Sequence, residues 1–125
     1  MHKLLIVEDN ADLVEALTDH LKKEGFEVTS AANGEDGLPL ATDYKPDLIL
    51  LDIMMPGFDG ATFIHALRAS GDWGKEVPVI ILTNVNVDDR RVDAILEDLP
   101  AFYLVKSDLS LKVLTEKIKE RLAMV

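Results

Sequence analysis

Five short apolar runs alternate along the chain with segments whose apolar residues recur at helical spacing. The run KLLIV, Lys3 to Val7, predicts a buried strand. ADLVEALTDHLKKEG follows as a helix with Leu13, Leu17 and Leu21 on one face; Asn10 is placed to cap its start and Gly25 to close its end. FEVTSA alternates, which predicts a half-buried second strand. NGEDGLPLATDY predicts a short second helix, and Pro39 beyond its first turn predicts an irregular or late start, because proline removes a backbone hydrogen bond. DLILL predicts the third strand and GATFIHALRAS the third helix, with Phe63, Ile64 and Leu67 on one side. GDWGKE reads as a loop anchored by Trp73, and VPVIILT as the fourth strand. NVDDRRVDAILEDL predicts the fourth helix, with Asn86 as its cap, Asp88 and Asp89 in its first turn and an apolar stripe of Val92, Ile95, Leu96 and Leu99. AFYLV is the fifth strand, and SLKVLTEKIKERL the fifth helix, turning Leu111, Leu114, Ile118 and Leu122 inward.

Strand followed by helix, five times over, implies one α/β domain across residues 1–125, with a parallel sheet covered by helices on both faces. The third and fourth strands are the most apolar, as central strands buried on both faces require. A formal net charge of -10 disfavours nucleic acid as a direct partner, because phosphate backbones are held by Lys and Arg. With no cysteine, disulfides, thiolate metal sites and a cysteine nucleophile are excluded, and a cytoplasmic setting fits. The first apolar run is too short for a signal peptide and is ended by Glu8 and Asp9; no run approaches membrane-spanning length.

Doubly wound sheets carry their chemistry beyond the carboxyl ends of the strands. Strand one is followed by Glu8 and Asp9, strand two by Asn33 and Gly34, and strand three by Asp52, after which the chain turns through Pro56 and Gly57. Strand four ends in Thr83 and Asn84, and strand five in Lys106 and Ser107. With strands one and three as neighbours, Glu8, Asp9 and Asp52 converge, and their repulsion calls for a divalent cation. A hard, oxygen-lined site with few protein ligands suits Mg²⁺, which keeps several waters and bridges to phosphoryl oxygens. Lys106 and Thr83 lie where they reach the far side of such a group, so the set makes a phosphoryl clamp with Asp52 as the attacking carboxylate. Taken singly, each residue has a plainer reading: a helix cap or turn former for Asp52, a solvated pair for Glu8 and Asp9, a strand residue for Thr83, a surface lysine for Lys106. The cluster as a whole is what those readings leave unexplained.

The chain resembles the receiver domain of two-component response regulators (CheY-like). The segments that carry the resemblance are LLIVEDN, DLILLDIMMPGFDG, VPVIILT and YLVKSD, in order and at about the family's separations, over essentially the whole chain. It implies a five-stranded sheet in the flavodoxin-like order 2-1-3-4-5 with five helices. It implies Glu8, Asp9 and Asp52 as the Mg²⁺ ligands, with the backbone carbonyl of Met54, and Asp52 as the phosphoacceptor. Thr83 becomes the switch hydroxyl, Lys106 the partner of the phosphoryl oxygens, and Tyr103 the ring that moves with Thr83, although a fixed, half-buried ring suits its alternation with Ala101 and Val105 equally. The implied donor is a phosphohistidine on a histidine kinase or phosphotransfer protein. The implied output is a surface of the fourth helix, fifth strand and fifth helix that binds a downstream protein or a second copy. The chain would modify and demodify itself rather than act as an enzyme on another molecule. Ending after the fifth helix, it is expected to carry no output domain, either standing alone or belonging to a longer protein.

Some positions depart from the family pattern. Asn84 stands where a small residue is usual, and Ser107 where proline usually follows the lysine, which removes the main reason for a cis bond there. Gly37 and Pro39 replace helix formers, and DLPAF replaces the common turn before strand five. Met54 and Val85, two residues beyond Asp52 and Thr83, flank the expected entry of water; two apolar side chains there predict a long-lived phosphorylated state. Met54 and Met55 otherwise read as loop packing, and His2, His20 and His65 form no ligand spacing. Three rivals remain. A haloacid-dehalogenase-like phosphatase would place its nucleophile after strand one with an acid two residues on, whereas here Asp52 follows strand three and position 54 is Met. A flavin or nucleotide module needs a Gly/Ser/Thr-rich loop where this chain has EDNAD. A degenerate receiver acting as a scaffold would not keep every acid, the hydroxyl and the lysine.

Overall fold

Ten elements follow in chain order in the computed structural model, which describes residues 2–52, 55, 60–83, 102–105 and 110–123. They are β1 (Lys3–Val7), α1 (Ala11–Lys23), β2 (Glu27–Ala31), α2 (Gly34–Tyr44), β3 (Leu48–Asp52), α3 (Gly60–Arg68), α4 (Asp72–Glu76), β4 (Val79–Thr83), β5 (Phe102–Val105) and α5 (Leu111–Arg121). The strands form one sheet in the order β2-β1-β3-β4-β5, and every adjacent pair is parallel. The fourth predicted helix, 86–99, lies outside the described residues.

The pleat of the central strands divides the core in two. Leu5, Val7, Ile49, Leu51, Val79 and Ile81 face one side and pack with Ala41 of α2 and with Phe63, Ile64 and Leu67 of α3. Leu4, Ile6, Leu48, Leu50, Ile80 and Leu82 face the other and pack with Leu17 and Leu21 of α1 and Leu114 and Ile118 of α5. A strand buried on both faces cannot alternate with polar residues, which is why LILLD is apolar until its last position. The α1–α5 seam carries polar bonds as well. Thr115 donates its hydroxyl to the Leu111 carbonyl at 2.7 Å and accepts from His20 Nε2 at 2.8 Å, and Lys119 meets Glu24 at 3.0 Å.

Three expectations are corrected. The second helix is neither late nor irregular: it starts at Gly34 directly after the Asn33 cap and runs through Pro39. Pro39 and Glu35 lie on its exposed side, where water can serve the carbonyl that proline leaves without its N–H. Gly37 is set by packing, since a Cβ there would come within 3.1 Å of Val7 Cγ2. GDWGKE is not a loop, because Asp72–Glu76 forms α4. Its support is tertiary: Arg68 donates to the Gly74 and Val77 carbonyls at 3.0 and 2.6 Å, and Trp73 Nε1 donates to the Pro46 carbonyl at 3.0 Å, the anchoring expected of Trp73. A Cβ on Gly74 would collide with the Leu67 carbonyl. The second strand is half-buried as expected, but its burial does not alternate residue by residue: Glu27 and Ser30 are exposed, and Val28 and Thr29 between them are half-buried.

Candidate functional site

Strand register brings the acids together. Val7 pairs with Leu51, so the next residues along, Glu8 and Asp52, sit side by side at the C-terminal edge of the sheet. The Glu8 N–H donates to the Ala31 carbonyl at 3.0 Å, which carries the β1–β2 ladder one residue beyond the strand. Glu8 and Asp52 are 1% and 2% exposed, while Asp9 lies in solvent. One carboxylate oxygen from each of the three residues falls within 4.8 Å of the others. At that spacing each pair of negative charges repels, by about 1 kcal/mol even when fully screened by water.

Local bonds hold the first acid in place. Glu8 Oε1 accepts the backbone N–H of Asn10 at 3.1 Å. Asn10 Oδ1 in turn accepts the Leu13 N–H at 3.1 Å, which makes Asn10 the N-cap of α1, as its place in the sequence predicts. An open cavity of about 320 Å³ adjoins the pair between α1 and the end of β2, with Val14 and Ala31 in its wall. The donor set is therefore three hard oxygens, two from buried carboxylates and one from an exposed carboxylate beside open space. That composition fits magnesium, which takes oxygen ligands and keeps part of its water shell, and it does not fit a soft metal.

The remaining predicted residues divide into those the backbone brings to this edge and those outside the described residues. Asp52 pairs with Leu82, so Thr83, the last residue of β4, lies one step further along the same edge. Thr83 pairs with Val105, and Tyr103 with Ile81 two residues earlier. The side chains of Thr83 and Tyr103 lie outside the described residues, as do Met54, Asn84, Val85, Lys106 and the Lys106–Ser107 peptide. Met55 is 5% exposed and belongs to the α3-side core, in keeping with its reading as packing. His20 is engaged with Thr115 on the α1–α5 seam, away from the acids. Sequence reasoning treated Asn10 only as a cap and missed its bond to Glu8; the adjacency of a capping residue to the acid pair was the available signal.

Known proteins share the fold and the sequence. The family model for the response regulator receiver domain matches residues 4–119. Transcriptional regulatory protein AfsQ1 of Streptomyces coelicolor is 41% identical over 106 residues, which cover 85% of this chain and 45% of that protein. Transcriptional regulatory protein PrrA of Mycobacterium tuberculosis is 42% identical over 89 residues, 70% of this chain and 37% of the relative. The chain thus spans less than half the length of either relative. Among solved structures, a response regulator from Chloroflexus aurantiacus superposes with a TM-score of 0.85 at 33% identity, covering 98% of both chains. The receiver domain of sensor histidine kinase PA1611 from Pseudomonas aeruginosa gives 0.85 at 27% identity, with 98% of both chains covered, and was solved with a magnesium ion coordinated in its active site cleft.

Proposed function

The chain belongs to the response regulator receiver domain family of two-component signalling, and from that premise we propose that Asp52 is its phosphoacceptor and that Glu8 and Asp9 hold Mg²⁺ beside it. The observation that carries this reading is the convergence of the three carboxylates within 4.8 Å, two of them buried, at the end of the central strands. A buried pair of acids at the rim of an apolar sheet is costly unless a ligand uses it. Magnesium, when bound, would neutralise the carboxylates and the phosphoryl oxygens at once.

The residues divide the chemistry as follows. An Asp52 oxygen attacks the phosphorus of a phosphohistidine, the P–N bond breaks, and the electron pair leaves with the imidazole. Glu8, Asp9 and Asp52 would hold the cation, with the Met54 carbonyl as the protein's remaining ligand to it. Lys106 pairs with the phosphoryl oxygens from the other side, and Thr83 supplies a hydroxyl to them. Thr83 and Tyr103 then move together and shift the population of the surface formed by the segment 86–99, β5 and α5, which takes a downstream protein or a second copy. The β4–β5 register supports this coupling, since Thr83 and Tyr103 lie on adjacent paired strands. Asn84 tunes entry to the site, and Met54 with Val85 slows hydrolysis by positioning water poorly.

The donor is a histidine kinase or a phosphotransfer protein, and the setting is cytoplasmic. No helix among the described residues is long and apolar enough to cross a membrane. Both curated relatives are named as transcriptional regulators and are more than twice the length of the matched segment, while the net charge of -10 supports a signalling rather than a DNA-contacting role for the segment itself. Intact mass after exposure to acetyl phosphate tests the reading. A gain of one phosphoryl group is expected with Mg²⁺, and none without it or in Asp52→Ala. No gain in the wild type with Mg²⁺ bound would point to a site blocked by Asn84 or a donor restricted to protein, and no gain with no Mg²⁺ binding would favour a phosphorylation-independent scaffold.

A further inference from the structure

We infer that Asn10 is a positioning residue for the acid pair: by capping α1 it aims its own backbone N–H at Glu8 and fixes the carboxylate that holds the cation. The inference rests on the magnesium reading above. Glutamate has one more rotatable bond than aspartate, so a glutamate at this position needs something to set its carboxylate. One such restraint comes from the loop itself. The Glu8 backbone is pinned on the strand side by its N–H bond to Ala31 at 3.0 Å. On the helix side, Asn10 accepts twice from α1: its Oδ1 from the Leu13 N–H at 3.1 Å and its carbonyl from the Val14 N–H at 3.0 Å. These bonds hold Asn10 at φ -80 and ψ 104, the extended conformation of an N-cap. In that conformation its N–H reaches back to Glu8 Oε1 at 3.1 Å. Residues 8–10 therefore form a short span tied at both ends, with Glu8's side chain bonded across it. Loss of an outer partner that orients a metal ligand commonly weakens metal binding by about 10–100-fold.

The side chain of Asn10 is the part that mutation can remove. Alanine keeps the N–H but loses the oxygen that sets its direction, whereas serine keeps a capping oxygen. A purely structural cap would affect stability and leave metal affinity alone, so the discriminating readout is magnesium affinity of the folded full chain. Titration with magnesium chloride is expected to show Asn10→Ala binding about tenfold more weakly, the low end of losses from outer partners. Asn10→Ser is expected to stay within about twofold of wild type. Should Asn10→Ala fail to fold, Asn10→Gly, a mild replacement at a cap, takes its place. Equal affinity in wild type and Asn10→Ala, whatever the change in melting temperature, would overturn the inference. Hydrogen exchange of the Asn10 amide in metal-free protein provides a second, independent arm. The amide is expected to be protected in wild type and to exchange faster in both Asn10→Ala and Glu8→Ala; an amide already unprotected in wild type overturns the inference. If wild type binds no magnesium, the reading of the site falls, and the exchange arm alone decides whether Asn10 holds Glu8.

Discussion

At the N-terminal edge of the sheet, Lys3 donates its backbone N–H to Asp47 at 2.7 Å and its ammonium to the Tyr44 carbonyl at 3.1 Å; at the C-terminal edge, three carboxylates meet within 4.8 Å. The Lys3 ammonium also lies 4.9 Å from the Tyr44 ring centre, and the Tyr44 hydroxyl donates to Glu27 at 2.6 Å. Burial, followed by that bond to Glu27, raises the Tyr44 phenol above its ordinary value, so it stays protonated and keeps donating. Matched donors and acceptors, with a cation over a ring, close the first edge into a structural lock. At the second edge, like charges are gathered at the ends of the central strands. Charge at the rim of a sheet is thus informative by its pattern: complementary neighbours stabilise the fold, and convergent like charges mark a place kept for a ligand.

The two edges should respond differently to the same treatments. The largest effect expected is from magnesium: at about a hundredfold excess over its Kd it stabilises the folded chain by about 2.7 kcal/mol, and Glu8→Gln or Asp9→Asn removes most of that gain. Chemical denaturation with and without the ion measures it. Next, in metal-free protein Asp52→Asn should raise stability by roughly 1–2 kcal/mol, because one of three repelling charges is gone. The corresponding neutralisation at the other edge, Lys3→Met, should lower stability by about 0.5–1 kcal/mol, the range of a cation over an accessible ring. Finding the same sign at both edges would erase the distinction drawn between them.

The smallest effect expected belongs to the α1–α5 seam. Lys119 holds the Glu24 carboxyl below its ordinary value of 4.5, first through a hydrogen bond and then through its charge. A lowered folded value means the contribution is present above 4.5 and is lost as pH falls below it. Thermal melts of wild type and Glu24→Gln should therefore differ near neutral pH and converge on acidification. A difference that persists unchanged in acid would remove the pair from the account.

The sequence revealed those parts of the molecule that depend on each residue's own class and position along the chain. Runs such as LLIV, LILL and VIIL could only be buried strands, and acids directly after two of them had to meet once the strands were neighbours. What it concealed depends on distant partners. Nothing within GDWGKE announces a helix; the guanidinium of Arg68 and the carbonyl of Pro46 make it one. Pro39 argued against an early second helix, yet the Asn33 cap and the fit of Gly37 against Val7 outweigh one missing backbone bond. The bond from Asn10 to Glu8 was hidden for a different reason: it is local, but it runs from a backbone N–H, which every residue but proline possesses.

The most direct test of the central claim is to trap the phosphorylated chain with borohydride, which reduces an acyl phosphate, and to map the altered residue by peptide mass. Reduction is expected at Asp52 alone, and only when magnesium was present during phosphorylation. Reduction at Asp9 or at any acid outside the cluster, or labelling of Asp52 that is indifferent to magnesium, would contradict that claim.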